Sequence, residues 1–200
     1  MRRVGLFGGT FDPPHIGHLI LAECARDRLG LDEVRFIPVG EPPHKRRRDV
    51  TRAADRVAMT RLAVRGVPGF TVSTLETRRR GPSYTVETLR RIAVERPHAR
   101  LYLLIGADSL DDLARWRDPA EILRRATVVV ARRPGAAGRR CDRRIVRLDS
   151  PEIAVSSSLV RARVRAGRSV RWMVPEAVRA YIARRGLYRA RRRRAAGRGT

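Results

Sequence analysis

The chain has 200 residues, 42% hydrophobic and 32% charged, so it is long enough for one domain and too apolar for a wholly disordered chain. A chain of this size buries about 70% of its surface on folding, which supports a core without metal or disulfide staples. The net charge of +25 comes from 45 basic and 20 acidic residues, and Lys45 is the only lysine. So lopsided a use of arginine reads as a genome bias rather than a nucleic-acid surface; it predicts attraction to polyanions, phosphorylated metabolites included.

The first element is the short apolar run Val4–Phe7, ending in glycines, which suits a buried strand. After Pro13-Pro14 the apolar positions Ile16, Leu19, Ile20, Ala22, Ala25 and Leu29 keep helical spacing, and Gly30 is a natural stop. Val34–Val39 reads as the second strand, Thr51–Val64 as a helix and Phe70–Ser73 as a third strand. Thr85–Val94 is helical, Leu101–Ile105 is a strand closed by Gly106, and Pro119–Arg125 is a short helix. Thr127–Ala131 and Arg144–Leu148 follow as strands, and Ser156–Ala166 and Pro175–Arg185 as the closing helices. Alternation at this spacing predicts an α/β fold: a single-domain, Rossmann-like parallel sheet with helices on both faces, its ligand beyond the carboxyl ends of the strands. The expected limits are a domain over 1–188 and a basic, disordered tail over 189–200, where six arginines meet no acid. Residues 132–144, rich in Gly, Ala and Arg, read as a mobile surface loop. Apolar runs such as 101–107 fall far short of a membrane span, and no apolar leader follows Met1-Arg2-Arg3. Two cysteines, Cys24 and Cys141, make no disulfide framework, so a reducing cytoplasm is the expected setting.

The most informative stretch is Gly8-Gly9-Thr10-Phe11-Asp12-Pro13-Pro14-His15-Ile16-Gly17-His18. A strand runs into two glycines, then prolines open a helix whose unpaired N–H groups and positive dipole end form an anion site. His15 and His18, three apart, share one face of its first turn, and Gly17 between them costs helix stability of about 0.8–1 kcal/mol against alanine. One histidine alone would be ordinary packing; two of the chain's four on one turn point to phosphate chemistry. A zinc site lacks further ligands at suitable spacing, and no metal-ligating residue is assigned. A second helix start, Ser156-Ser157-Ser158, offers hydroxyls and N–H groups, and Arg161 lies three residues beyond Ser158, able to bend over the same anion.

The first stretch closely resembles the His-x-Gly-His signature of a nucleotidyltransferase superfamily, and Ser156–Arg161 its second signature, with Val155 for the usual isoleucine and Ser158 at the Thr/Ser position. Over residues 4–189 the chain looks most like the bacterial nicotinate-nucleotide adenylyltransferases. The resemblance implies transfer of an adenylyl group from ATP to nicotinate mononucleotide, giving deamido-NAD and pyrophosphate, with Mg²⁺ bridging the substrate phosphates. It implies His15, His18 and Arg161 as catalytic, and Gly8, Gly9, Thr10, Phe11, His15, His18, Gly106, Asp108, Ser156, Ser157, Ser158 and Arg161 at ATP. His44, Lys45, Ser83, Tyr84, Thr85 and Trp116 then fall to nicotinate mononucleotide. Asp108 is open to two roles, acceptor for ribose hydroxyls or neighbour of Mg²⁺. Ser83 or Thr85 is a candidate cap for its helix, whose first N–H groups would suit a substrate carboxylate. Where some relatives carry an aromatic residue after the tryptophan, this chain has Arg117. Phosphopantetheine adenylyltransferases share both signatures but usually have Thr or Ser for the first histidine and lack Ser-Tyr-Thr; an enzyme preferring the amide mononucleotide is a closer rival. Nucleic acid is expected only as non-specific charge binding, since aromatics are 5% and no reading helix is apparent. No membrane partner is expected, and assembly into a homo-oligomer is left open.

Overall fold

A computed structural model describes residues 1–42, 50–131 and 144–190, the side chains of Ala107 and Asp108 aside. Its elements run β1 (Arg3–Gly9), α1 (Ile16–Leu29), β2 (Glu33–Pro38), α2 (Ala53–Ala63), β3 (Phe70–Val72), α3 (Thr85–Glu95) and β4 (Arg100–Ile105). Then come α4 (Ala107–Asp112), a 3₁₀ turn at Leu113–Arg115, α5 (Pro119–Arg125), β5 (Ala126–Ala131), β6 (Ile145–Leu148), α6 (Ser157–Arg165) and α7 (Glu176–Arg185). Every element expected from sequence is present within a few residues. The addition is α4, whose six residues and following turn are too short to show a helical apolar period.

All five strand pairings are parallel, in the order β3-β2-β1-β4-β5-β6. The chain is thus a doubly wound sheet of Rossmann type, with its switch point between β1 and β4. The period-2 alternation of the strands divides the core. Val4 and Leu6 of β1, Leu101, Leu103 and Ile105 of β4, and Val128 and Val130 of β5 pack with Val86, Leu89 and Ile92 of α3 and Ile122 of α5. Phe7, Tyr102, Leu104 and Val129 point the other way, against Ala22 and Ala25 of α1, Met59 of α2, Val160 of α6 and Val178 and Ile182 of α7. Helix α1 stops as expected at Gly30, whose φ of 55° is the left-handed C-cap conformation. No described helix is long and apolar enough to cross a membrane. Residues 132–143 of the loop expected over 132–144, and residues 191–200 of the tail expected over 189–200, lie outside the described residues.

Candidate active site

The switch point gathers the carboxyl ends of β1 and β4 with the amino ends of α1 and α6. At the end of β1 the chain passes through Gly8 and Gly9 into Phe11, a non-glycine residue with φ of 48°. A Cβ on Gly9 would lie 2.9 Å from the Phe11 ring, so glycine is what lets that ring fold back. The Phe11 side chain is 1% exposed, 5.6 Å from the Phe7 ring and 5.0 Å from that of His18.

His15 sits at the N-cap of α1, and its backbone N–H donates to His18 Nδ1 at 3.1 Å. The two imidazoles stack at 3.7 Å, over a glycine: a Cβ at Gly17 would come within 3.2 Å of the His15 ring. This close approach explains why the helix carries glycine in its first turn. Because Nδ1 of His18 accepts, its neutral form carries the proton on Nε2, leaving a donor at the far side of the ring. Burial pushes His15 down to about 4, and burial together with the neighbouring His15 pushes His18 down to about 3. Both are therefore neutral at pH 7. In the same turn the Ile16 N–H is taken by Met173 O at 3.0 Å and the His18 N–H by His15 O, which leaves Gly17 N–H as the donor among the described residues.

The three serines divide their tasks. Ser156 is the N-cap of α6 and its Oγ accepts from Leu159 N at 3.1 Å. Ser157 Oγ donates to Pro13 O at 2.8 Å, tying α6 to the approach of α1. Ser158 Oγ accepts from Arg161 Nη2 at 3.3 Å, while Arg161 Nη1 donates to Asp12 O at 2.8 Å. The two helix starts are therefore side by side, with the guanidinium across the gap.

Next to them, above β1, β2 and β4, lies a cavity of about 640 Å³ whose wall is mostly apolar. Gly8, Gly9, Thr10, Ser83, Tyr84, Thr85, Gly106 and Trp116 all line it. Sequence-chosen residues thus form two adjoining groups, the helix starts and the cavity, linked by the glycine turn. His44 and Lys45 lie outside the described residues; Asp108 is in the first turn of α4, its side chain likewise outside them. The expected cap on α3 is not found. Tyr84 holds the N-cap position with no side-chain cap, Ser83 precedes it with its hydroxyl accepting from Gly40 N at 3.3 Å, and Thr85 is the first helical residue. Among the described residues no side chain caps the first turn of α3.

Three supporting residues were not singled out from sequence. Arg56 is 1% exposed and donates to the carbonyls of Thr51, Thr10 and Gly40 at 2.9, 2.9 and 3.1 Å, stapling the loops after β1 and β2. Asp12, 3% exposed, accepts from Thr51 N at 3.0 Å and from the Tyr188 hydroxyl at 2.6 Å. Burial, then the Asp12 charge, raises the Tyr188 phenol well above its usual value, so it stays a donor. Glu76 is buried in the cavity wall, accepts from Thr88 Oγ1 at 2.6 Å, and is raised from the usual carboxylate range by that burial. The one available signal was Asp12, inside the glycine-rich stretch.

A doubly wound sheet that brings two helix starts, two histidines and an arginine to its switch point defines a nucleotide-binding α/β class. The cytidylyltransferase-like family description matches residues 6–163. A Salinibacter ruber protein named "Probable nicotinate-nucleotide adenylyltransferase" is 48% identical over 190 residues, 93% of this chain and 97% of that one. A Thermus thermophilus protein of the same name is 46% identical over 187 residues, 94% of this chain and 100% of that one. The chain belongs to the cytidylyltransferase-like family and, within it, to the nicotinate-nucleotide adenylyltransferases. Among solved structures, Plasmodium falciparum nicotinic acid mononucleotide adenylyltransferase complexed with NaAD has the same fold, with a TM-score of 0.79 at 15% identity over 94% of this chain and 98% of that one.

Proposed function

We infer that the chain joins ATP and nicotinate mononucleotide into deamido-NAD, releasing pyrophosphate, as a cytoplasmic enzyme of NAD biosynthesis. Family membership supports the reaction. The observation that carries it is the junction of the α1 and α6 starts, bridged by Ser157 and Arg161, against an apolar cavity large enough for a mononucleotide's base and ribose.

A phosphate oxygen of the mononucleotide attacks the α-phosphorus of ATP in line, the bond to the β-phosphate oxygen breaks, and pyrophosphate leaves. The nucleophile is already ionised, so no side chain has to remove a proton. The protein's task is to hold two polyanions together and to meet the charge that grows on the leaving group. Gly17 N–H, His18 Nε2–H and the α6 N–H groups serve as fixed donors, and Arg161 supplies the cation. Asp12, Tyr188 and Arg56 hold the glycine turn in place beneath them. The pyridine ring occupies the cavity between Tyr84 and Trp116, with Ser83 and Thr85 at its rim.

Mg²⁺ travels with substrate phosphates and needs few protein ligands. Among the described residues no group of three or more His, Cys, Asp or Glu could hold a metal ion, so the substrate phosphates would have to carry it. Bound there, it would neutralise charge on the triphosphate.

The test is a pyrophosphate-release assay with ATP and Mg²⁺, comparing nicotinate mononucleotide, nicotinamide mononucleotide and phosphopantetheine. The expected result is fastest release with nicotinate mononucleotide. Release only with phosphopantetheine would overturn the assignment.

A further inference from the structure

The segment 73–79, which follows β3, borders two cavities. Glu76 lines the one already described, whereas Ser73, Thr74, Arg78 and Arg79 line a second of about 450 Å³, completed by Arg91 and Glu95 of α3. Three cations thus face this hollow with one carboxylate. That carboxylate is divided: one Glu95 oxygen lies 3.6 Å from Arg91 Nε and the other 3.8 Å from Arg35 Nη1. Arg79 pairs with Glu87, which also accepts from Arg117 Nη1 at 3.0 Å. Arg78 is exposed and has no acidic partner among the described residues. The wall therefore holds more positive charge than its acids neutralise. It also holds hydroxyls. Ser73 Oγ accepts from Leu75 N at 3.2 Å, which leaves its own proton to be donated, and Thr74 adds a second hydroxyl. Arg79 is fixed before any ion arrives, because its Nη2 donates to Pro82 O at 2.8 Å.

We propose that this second hollow binds a phosphate-class anion, held by Arg78, Arg79 and Arg91 with the Ser73 and Thr74 hydroxyls, at a site separate from the two helix starts. The donors come from two elements, the turn after β3 and helix α3, and they outnumber what a planar carboxylate can accept along one edge. A tetrahedral ion carrying a charge near −2 at neutral pH can take forked guanidiniums and hydroxyls on different oxygens. The attraction belongs to the arginines and not to the helix, since Glu95 marks the carboxyl end of α3, where the dipole is negative. Segment 73–79 is shared by both cavities, so an ion seated here is expected to register at Glu76 as well as at Ser73 and Thr74. The assignment does not depend on which mononucleotide the neighbouring cavity accepts.

The test is titration of inorganic phosphate, and separately of pyrophosphate, into the labelled full chain while backbone amide resonances are followed, in the wild type, R78Q and R91Q. Chloride at equal ionic strength is the control. The amides of Ser73, Thr74 and Glu76 are expected to shift and saturate with either phosphate ion but not with chloride. R78Q and R91Q are each expected to weaken that binding about tenfold, the loss of one charge-assisted contact, while shifts at Gly17 and Ser158 keep their wild-type affinity. That internal comparison separates a lost site from a damaged fold. Tighter binding of pyrophosphate assigns the hollow to diphosphates, and equal or weaker binding assigns it to single phosphate groups. The proposal is overturned by an absence of saturating shifts at Ser73 and Thr74 in the wild type, by chloride reproducing them, or by an affinity there that neither substitution alters.

Discussion

Replacing Arg161 with alanine separates catalysis from architecture. In the resting structure its guanidinium donates to Asp12 O at 2.8 Å and to Ser158 Oγ at 3.3 Å, so it is aimed across the gap between α1 and α6 before substrate arrives. Such preorganisation costs no rearrangement during the reaction, and loss of one donor of this kind lowers kcat by about 10²–10³. The structural contribution is smaller. The side chain is half-buried and its partners are one carbonyl and one exposed hydroxyl, so R161A costs about 1 kcal/mol of stability. For a chain of this length that is a fall of about 2–4 °C in Tm. The assay pairs pyrophosphate release at saturating substrates with thermal unfolding, and R161K serves as the charge-retaining control. A kcat for R161A near that of the wild type refutes the reasoning, as does an activity loss that merely follows the unfolded fraction.

Three further outcomes follow from groups beneath the site. His15 stands at about 4 in the folded protein against about 6.5 in the unfolded chain, so between those values the folded state binds fewer protons and stability rises with pH. Its contribution is complete above about pH 6.5 and falls by about 3 kcal/mol as pH drops to about 4; urea midpoints across that window should flatten in His15→Asn, and an unchanged slope would contradict this. Arg56→Met removes the donor to three carbonyls and is expected to cost about 3 kcal/mol or more, so a near-native urea midpoint would show that the staple is dispensable. Gly40→Ala would set a Cβ 2.3 Å from Glu76 O, a backbone atom, and is expected to destabilise by about 3 kcal/mol or more, read by the same unfolding curves; a tolerated alanine would mean that this junction is loose.

The sheet and its helices were legible because buried strands such as β1 and β4 are apolar runs stopped by glycine, and α3 turns one apolar face to the core. Helix α4 was not, since six residues after Gly106 carry no period to detect. The two anion-binding helix starts were legible from Gly-Gly, paired histidines and a serine cluster. That they adjoin was not, because the Ser157–Pro13 contact spans 144 positions and the Tyr188–Asp12 contact 176. Arg56 was hidden by the company it keeps: among 44 arginines, nothing local marks the one that is buried. The α3 cap was misjudged because Ser83 and Thr85 have the right chemistry for capping, and only the fold reveals that Tyr84, between them, holds the N-cap position.

The account depends on both helix starts serving one triphosphate. Titrating ATP and Mg²⁺ into labelled protein while following backbone amide resonances tests this directly. Gly17 in α1 and Ser157 and Ser158 in α6 are predicted to shift together, with a single shared Kd. Shifts confined to one helix start, or two separate affinities, would contradict it.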